Sequence, residues 1–215
     1  MTLTPHPSSL SLQGEGNEVG RCHAPTDLIV AIAGPIGVGK STVARGLAAR
    51  LGYRYISGGE VFRDIARAKG ISVTDVNKLA EQDPTLDREL DARQRELASA
   101  GNCVVESRLA GWMVDADLKI WLRAAVDVRA ARVARREGQA LESARAELLE
   151  RERSEWARYK RQYNIDTNDL SPYHVIIDTS YWNAEAIADT LAGLVRSMLS
   201  EHREQVSAKK PSSGR

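Results

Sequence analysis

The segment Gly34–Thr42 constrains the fold of this 215-residue chain more than any other stretch. It reads GPIGVGKST and fits the pattern G-x-x-x-x-G-K-[ST] at every fixed position. An apolar run, Leu28–Ile32, precedes it, and apolar residues at helical spacing follow it from Val43 to Leu51. The order strand, loop, helix is the context that the pattern requires. It predicts a P-loop that binds the phosphates of a nucleoside triphosphate.

The residue types of this loop explain how it would bind phosphate. Its three glycines allow the backbone to turn N–H groups toward an anion, and the following helix adds the positive end of its dipole. Lys40 is expected to reach the β- and γ-phosphates, and the Ser41 hydroxyl is expected to ligate Mg²⁺. The whole loop is therefore a candidate nucleotide site: Gly34, Pro35, Ile36, Gly37, Val38, Gly39, Lys40, Ser41 and Thr42.

Apolar strands alternate with helical segments along the rest of the chain. The predicted strands are Asp27–Ala33, Tyr53–Ile56, Asn102–Glu106, Asp117–Leu122 and His174–Asp178. The predicted helices are Lys40–Leu51, a segment from Ser57 to about Lys69, Val73–Gln82, Thr85–Ala100, Val126–Glu137, Leu141–Tyr163 and Asn183–Leu199. This alternation predicts an α/β fold in which a five-stranded parallel sheet carries helices on both faces.

One domain is expected at 27–200, flanked by two disordered segments. Residues 1–26 are rich in Ser, Pro, Gly and Thr without an apolar period, and residues 201–215 are rich in Lys, Ser, Pro and Gly. Within the domain, 57–101 forms a compact helical insert between two strands. Most charged residues of its second half, among them Asp87 and Asp91, are expected on a solvated face, with Glu89–Arg93 as a stabilising pair.

Charge and cysteine content exclude several classes of protein. A formal net charge of +1 gives no general attraction to nucleic acid. The two cysteines, Cys22 and Cys103, are too few for a disulfide framework or a metal site. The sequence has no apolar stretch of membrane-spanning length and no signal-peptide pattern at its N-terminus. We therefore expect a cytoplasmic protein, a monomer, that binds neither nucleic acid nor membrane.

Arginines are placed where a second phosphorylated molecule would bind. Phosphoryl transfer between two phosphorylated molecules needs cations from several directions. Arg63 follows the second strand and Arg108 ends the third, so both are expected at the cleft beyond the strand ends. A second group lies on the two helices predicted at 126–163: Arg129, Arg132, Arg135, Arg136, Arg151, Arg153, Arg158 and Arg161. Glutamates are interleaved with this group, so a salt-bridged surface explains any one of these arginines about as well.

Two further features bear on the site. Arg151, Glu155 and Arg158 have the spacing i, i+4, i+7 and occupy one helix face, where they could converge on one ligand. Glu106 ends the third strand and has three interpretations: it holds Mg²⁺ through water, it hydrogen-bonds the acceptor, or it only pairs with Arg108.

Several motifs in fixed order resemble the compact, type 2 branch of the cytidylate kinases. Besides the P-loop they are SGGEVFR at 57–63, DPTLDRELDARQ at 83–94, NCVVESRLAGW at 102–112, DLKIWL at 117–122, RERSE at 151–155, RY at 158–159, YNID at 163–166 and VIIDTS at 175–180. The match covers nearly everything from Leu28 to Leu199. The resemblance implies transfer of the γ-phosphoryl group of ATP to CMP or dCMP, a monophosphate-binding insert at 57–101, and an arginine-rich lid and following helix at 129–164.

The resemblance also implies roles for individual residues. Arg63 and Arg108 would hold the acceptor phosphate, and Arg132 and Arg136 would belong to the lid. The residues implied in catalysis are Lys40, Arg108, Arg132, Arg136 and Arg151. Those implied on the acceptor side are Ser57, Gly59, Arg63, Glu106, Arg108, Arg151, Glu155 and Arg158. Of these, Arg151, Glu155 and Arg158 would lie near the cytosine and ribose.

Two alternatives stay open at this point. The same chemistry with UMP or AMP as acceptor needs only a few different polar contacts at the base. A P-loop protein that binds nucleotide for regulation would need no second phosphate site, which Arg63 and Arg108 disfavour.

Overall fold

The structure, a computed structural model, describes residues 27–70 and 83–208. Three expectations fall wholly or partly outside these ranges: the disordered leader at 1–26, the helix at Val73–Gln82, and the end of the tail at 209–215.

Five parallel strands form one sheet in the described part of the chain. They are β1 (Ile29–Ala33), β2 (Arg54–Ser57), β3 (Cys103–Glu106), β4 (Leu118–Arg123) and β5 (Val175–Asp178), in the order β2-β3-β1-β4-β5. Glu106 of β3 lies beside Ile32 of β1 and Ser57 of β2. The P-loop, which follows β1, therefore lies at the same edge of the sheet as the carboxyl ends of β2 and β3. The predicted five-stranded parallel sheet is confirmed.

The described residues also form seven helices. They are α1 (Lys40–Leu51), α2 (Gly58–Ala68), α3 (Pro84–Ala98), α4 (Ala110–Met113), α5 (Val126–Glu137), α6 (Leu141–Tyr163) and α7 (Ala184–Ala208). The predicted bounds are correct for α1, α5 and α6. The single turn α4 was not predicted, because four residues are too few to show a helical period. Across 27–70 and 83–208, every helix is too short or too polar to cross a membrane.

The last helix corrects one predicted boundary. α7 continues to Ala208, whereas the sequence pattern ended the helix at Leu199 and began a disordered tail at 201. Ser200–Ala208 contains neither glycine nor proline, so the chain has no residue that ends a helix before Pro211. The predicted helix end at Leu199 is therefore nine residues too early.

Side chains alternate between two apolar layers, one on each face of the sheet. Val30 and Ile32 of β1 belong to a buried cluster with Leu47 of α1 and Leu191 of α7. Ile29, Ala31 and Ala33 point the other way, into a second cluster with Ala98 of α3 and Ala110 of α4. Because successive residues of a strand face opposite sides, the continuous apolar run of β1 fills both layers.

α2 and α3, which lie within the predicted insert, share a small apolar cluster. Ser57 ends β2, and its Oγ accepts a hydrogen bond from the backbone N–H of Glu60, which caps α2. The Asp83 side chain caps α3 by accepting from the N–H of Thr85 at 2.8 Å. Both helices meet through buried apolar residues, namely Val61, Ile65, Ala66 and Leu86. These two helices thus form a helical layer beside the carboxyl ends of β2 and β3.

Candidate active site

The P-loop has the backbone shape that phosphate binding needs. Gly34 has φ +147°, and a Cβ at this position would lie 2.3 Å from the carbonyl oxygen of Leu122, so only glycine fits. Gly39 has φ +99° and comes directly before α1, and no atom lies within 4 Å of where its Cβ would be. α1 begins without a side-chain cap. The first N–H groups of α1 therefore have no side-chain cap, which leaves them available to an anion.

Lys40 folds back over this loop. Its Nζ donates to the carbonyl oxygens of Gly34 and Pro35, each at 2.8 Å. Burial lowers the pKa of Lys40 well below its usual value, and the Arg108 cation lowers it further, although Glu106 opposes this effect. A phosphate group beside Nζ would favour the charged form of Lys40.

Glu106 connects the P-loop helix α1 to strand β2 through hydrogen bonds. Its Oε1 accepts hydrogen bonds from the hydroxyls of Ser41 at 3.0 Å, Tyr55 at 3.0 Å and Ser57 at 2.8 Å. Glu106 is buried, and it is not paired with Arg108, so the interpretation that it only pairs with that arginine is wrong.

The Ser41 hydroxyl and the Glu106 carboxylate also fit Mg²⁺. Both are oxygen donors, and Mg²⁺ is commonly held by one or two such protein ligands together with substrate phosphates. Within 27–70 and 83–208, no group of three or more His, Cys, Asp or Glu side chains is arranged as a metal site. The ion expected here is therefore one that these two oxygens would share with a nucleotide.

A single cleft of about 940 Å³ joins most of the predicted site residues. It lies between the P-loop, α2, α3, α5 and α6. From the P-loop it is lined by Ile36, Gly37, Val38, Gly39, Lys40, Ser41 and Thr42, and from elsewhere by Gly59, Arg63, Glu106, Arg108, Arg132, Arg136, Arg151, Glu155 and Arg158. Gly34 and Pro35 instead line a smaller cavity of about 480 Å³. Ser57 lies behind the cleft and contacts it through Glu106.

The predicted face of α6 is present, and two of its charged side chains contact residues of other elements. Glu155 contacts Arg108, with Nε and Oε2 2.8 Å apart. Arg158 contacts Asp87 of α3, with Nε and Oδ2 3.2 Å apart. Arg151 is exposed. Glu155 and Arg158 of this face therefore contact the segment after β3 and helix α3, respectively.

α3 contributes buried polar residues that sequence reasoning assigned to the surface. Asp87 and Asp91 are 5% and 6% exposed and line the cleft, so their expected placement on a solvated face is wrong. Gln94, on the same face, is 1% exposed. The predicted Glu89–Arg93 pair is also wrong, because Glu89 contacts Lys69. Asp87, Asp91 and Gln94 have the spacing i, i+4, i+7 of one helix face, which could have indicated a buried face. Because these residues are polar or charged, the pattern was instead interpreted as a surface.

Burial affects the acidity of this face. It raises the pKa of Asp91 to about 6, although a hydrogen bond from the Tyr163 hydroxyl at 2.7 Å opposes the shift. The pKa of Asp87 is also raised by burial, although the nearby Arg158 cation opposes the shift. For both side chains, the interactions within the protein compensate only in part for the loss of water around the charged carboxylate.

Arg132 is held against the far side of the P-loop. Its guanidinium donates to the Thr179 hydroxyl at 2.8 Å, to the Thr179 carbonyl at 2.6 Å and to the Val38 carbonyl at 3.2 Å. Thr179 follows β5 and also donates to the Val38 carbonyl, at 2.9 Å. Thr179 was not among the predicted site residues. Arg136 is exposed and contacts its neighbour Glu137.

Arg129 hydrogen-bonds the P-loop backbone and does not line the large cleft. It is buried, donates to the Ile36 carbonyl at 3.0 Å and forms an ion pair with Glu152. Glu152 in turn accepts from the Ile36 N–H at 3.2 Å. This arginine and glutamate are therefore structural partners of the P-loop, and the surface interpretation of the helix pair fails for Arg129.

Comparison with known sequences gives a consistent set of relatives. The sequence model of the Cytidylate kinase-like family matches residues 29–181. A cytidylate kinase from Methanothrix thermoacetophila is 46% identical over 171 residues, which cover 80% of this chain and 99% of that protein. One from Halobacterium salinarum is 44% identical over 82% of this chain and 94% of its own length. One from Pyrococcus abyssi is 47% identical over 74% of this chain and 89% of its own length.

Solved structures resemble this chain in fold alone. An uncharacterized protein from Eubacterium ventriosum has a TM-score of 0.62 at 18% identity and covers 80% of this chain and 99% of its own. A shikimate kinase from Bacteroides thetaiotaomicron has a TM-score of 0.55 at 14% identity, with coverages of 79% and 98%. A gluconokinase from Sinorhizobium meliloti has a TM-score of 0.53 at 18% identity, with coverages of 84% and 98%.

Proposed function

Because the chain belongs to the cytidylate kinase-like family, we propose that it transfers the γ-phosphoryl group of ATP to CMP and dCMP with the help of Mg²⁺. The family makes it a kinase, its substrates are small nucleotides, and CMP phosphorylation is its function. ATP as the donor, dCMP as a second acceptor and Mg²⁺ as the metal are the finer parts of the proposal. The comparisons do not favour the UMP, AMP or regulatory alternatives.

One observation carries the proposal: a single cleft has an anion cradle on one side and arginines on the other. The P-loop backbone and Lys40 face it from the donor side, and Arg63 and Arg108 face it from the acceptor side. A transfer between two phosphorylated molecules needs both sites within one enclosed space. A protein that only binds a nucleoside triphosphate needs the P-loop side of the cleft alone.

On the donor side, Lys40 would exchange its bonds to the Gly34 and Pro35 carbonyls for bonds to the β- and γ-phosphates. Ser41 would hold Mg²⁺ directly, and Glu106 would hold it through water. When bound, the metal neutralises charge that develops on the phosphates. Arg132 lies beside Val38 of the loop, so it is the lid arginine best placed to approach the transferred group.

On the acceptor side, Arg63 and Arg108 would hold the phosphate of CMP. Arg108 is paired with Glu155, so an incoming phosphate would compete with this carboxylate for the same guanidinium. Arg158 would face the nucleoside, while Ser57 and Gly59 shape the entry of the insert. Arg136 and Arg151 are exposed and would act once the lid helices close over both nucleotides.

A coupled assay of ADP release tests the proposal. With ATP and Mg²⁺, CMP and dCMP should support turnover, and UMP and AMP should give lower kcat/KM. An enzyme that prefers UMP or AMP would contradict the assignment of the base. ATP binding without turnover on any monophosphate would instead support the regulatory alternative.

A further inference from the structure

The three buried polar residues of α3 form a row along the face that lines the cleft. Asp87, Asp91 and Gln94 are separated by four and three residues, which places them on one helix face. Neighbours on the opposite face, such as Glu89, are exposed. Burying two carboxylates and an amide is unfavourable unless they find hydrogen-bond partners.

Two oxygen atoms of this row lack a hydrogen bond of acceptable geometry from the protein, although the Gln162 side chain also lies beside Asp87. Among the described residues, Oδ2 of Asp87 and Oε1 of Gln94 are buried and lack a hydrogen-bond partner. Asp91 differs, since it accepts from the Tyr163 hydroxyl. Native proteins satisfy most of their buried polar atoms, so unpaired acceptors that line a cleft indicate donors on a ligand.

Asp87 also has a cation at its side. Nε of Arg158 lies 3.2 Å from Oδ2 of Asp87, and the two side chains are 11% and 7% exposed. Although this distance makes an ion pair, neither atom has a hydrogen bond of acceptable geometry. A carboxylate acceptor and a guanidinium donor therefore lie next to each other, and both line the cleft.

The row also has a direction relative to the acceptor phosphate. Oε1 of Gln94 lies 3.2 Å from the Cβ position of Gly58, and Ser107 lies beside the same position, directly before Arg108. Gln94 is thus at the end nearest the strand edge, where the phosphate would bind. Asp87 lies seven residues earlier, or about 10 Å along the helix axis. This separation is comparable to that between the phosphate and the base of a nucleoside monophosphate.

We propose that Asp87 reads the exocyclic amino group of cytosine, while Arg158 donates to the acceptor atoms of the same ring. The inference rests on the proposed function, in which CMP is the acceptor. Cytosine presents an N–H donor at position 4, and an aspartate oxygen is a matching acceptor. Uracil presents a carbonyl oxygen at that position, which would face the carboxylate unfavourably. Glu155, which contacts Arg108, then serves the phosphate side and not the base.

The test compares CMP with UMP in matched variants. Asp87→Asn should lower kcat/KM for CMP by on the order of tenfold to a hundredfold and leave that for UMP unchanged or raised, because an amide can donate to the uracil oxygen. Glu89→Gln is the control: it removes one carboxylate from the exposed face of the same helix and should change neither value. Equal losses for CMP and UMP in Asp87→Asn would mean that Asp87 only positions Arg158, and would overturn the inference.

A substrate analogue makes the test independent of folding defects that affect all substrates. The 5′-monophosphate of pyrimidin-2-one ribonucleoside lacks only the amino group of CMP. In the parent protein kcat/KM for this analogue should be much lower than that for CMP. The difference should be clearly smaller in Asp87→Asn, because a neutral amide oxygen is a weaker acceptor than a carboxylate. The same difference in both proteins would overturn the inference. If Asp87→Asn does not fold by circular dichroism, Asp87→Ser takes its place with the same expectations.

The parent protein separates this inference from the proposed function. Failure of the parent to phosphorylate CMP would refute the proposed function. Normal CMP turnover in the parent, together with an unchanged CMP-to-UMP ratio in Asp87→Asn, would refute only the role of Asp87.

Discussion

The two sides of the cleft are built in different ways. The donor side is one continuous stretch, Gly34–Thr42, which leads into a helix without a side-chain cap. The acceptor side consists of side chains from distant parts of the chain, paired as Arg108–Glu155 and Asp87–Arg158. A phosphate cradle made of backbone can be specified by local sequence, whereas a surface that distinguishes bases depends on tertiary pairing.

The largest expected effect is on the donor side. Lys40→Ala should abolish transfer, with kcat/KM falling by on the order of a thousandfold or more, because its charge acts on the β- and γ-phosphates. The ADP-release assay measures this loss, and circular dichroism checks the fold. Near-normal turnover in a folded variant would remove the P-loop from the mechanism.

The acceptor side should respond differently to the loss of a cation. Arg108→Ala or Arg63→Ala should weaken the apparent affinity for CMP and slow transfer by on the order of a hundredfold, since a charge-assisted pair with phosphate is lost. The KM for ATP should barely change. Initial rates with each substrate varied in turn provide the comparison. Equal loss of affinity for ATP and CMP would mean that the two sides are not separate.

The buried acids of the acceptor side should also make stability depend on pH. In the folded protein burial raises the pKa of Asp91 from 3.8 to about 6. The folded state therefore retains this proton at a pH where the unfolded chain has lost it. The stabilisation is complete below about pH 4 and is lost as the pH rises through 6.

Asp91→Asn should remove this pH dependence. Between pH 4 and pH 7 the free energy of unfolding of the parent should fall, relative to the variant, by at most about 3 kcal/mol. Urea denaturation of both proteins at the two pH values measures the difference. Parallel pH profiles would show that Asp91 does not titrate in this way.

The smallest effect is expected at Glu155, and it sharpens the assignment within the acceptor side. Because Glu155 contacts Arg108, Glu155→Gln should change kcat/KM for CMP, dCMP and UMP alike, by only a few-fold. A selective loss for CMP would show that Glu155 reads the base. Unchanged values for all three substrates would leave it a structural partner of Arg108.

Most of the fold could be predicted from the sequence. Strand runs such as Leu28–Ile32 and the helical period of Lys40–Leu51 are local patterns, and the parallel sheet follows from their alternation. The exceptions are also local in origin. α4 is too short to show a period, and α7 continues because residues 200–208 contain nothing that ends a helix.

The site could be predicted only in part. The sequence alone determined the P-loop, because its glycines, lysine and serine act from consecutive positions. Tertiary structure decided which charges are buried. Asp87, Asp91 and Glu152 resemble surface residues in the sequence, yet packing places them against Arg158, Tyr163 and Arg129. The physical reason is that a charged side chain has the same local pattern in solvent and in a buried pair, and only the packing of distant elements distinguishes the two.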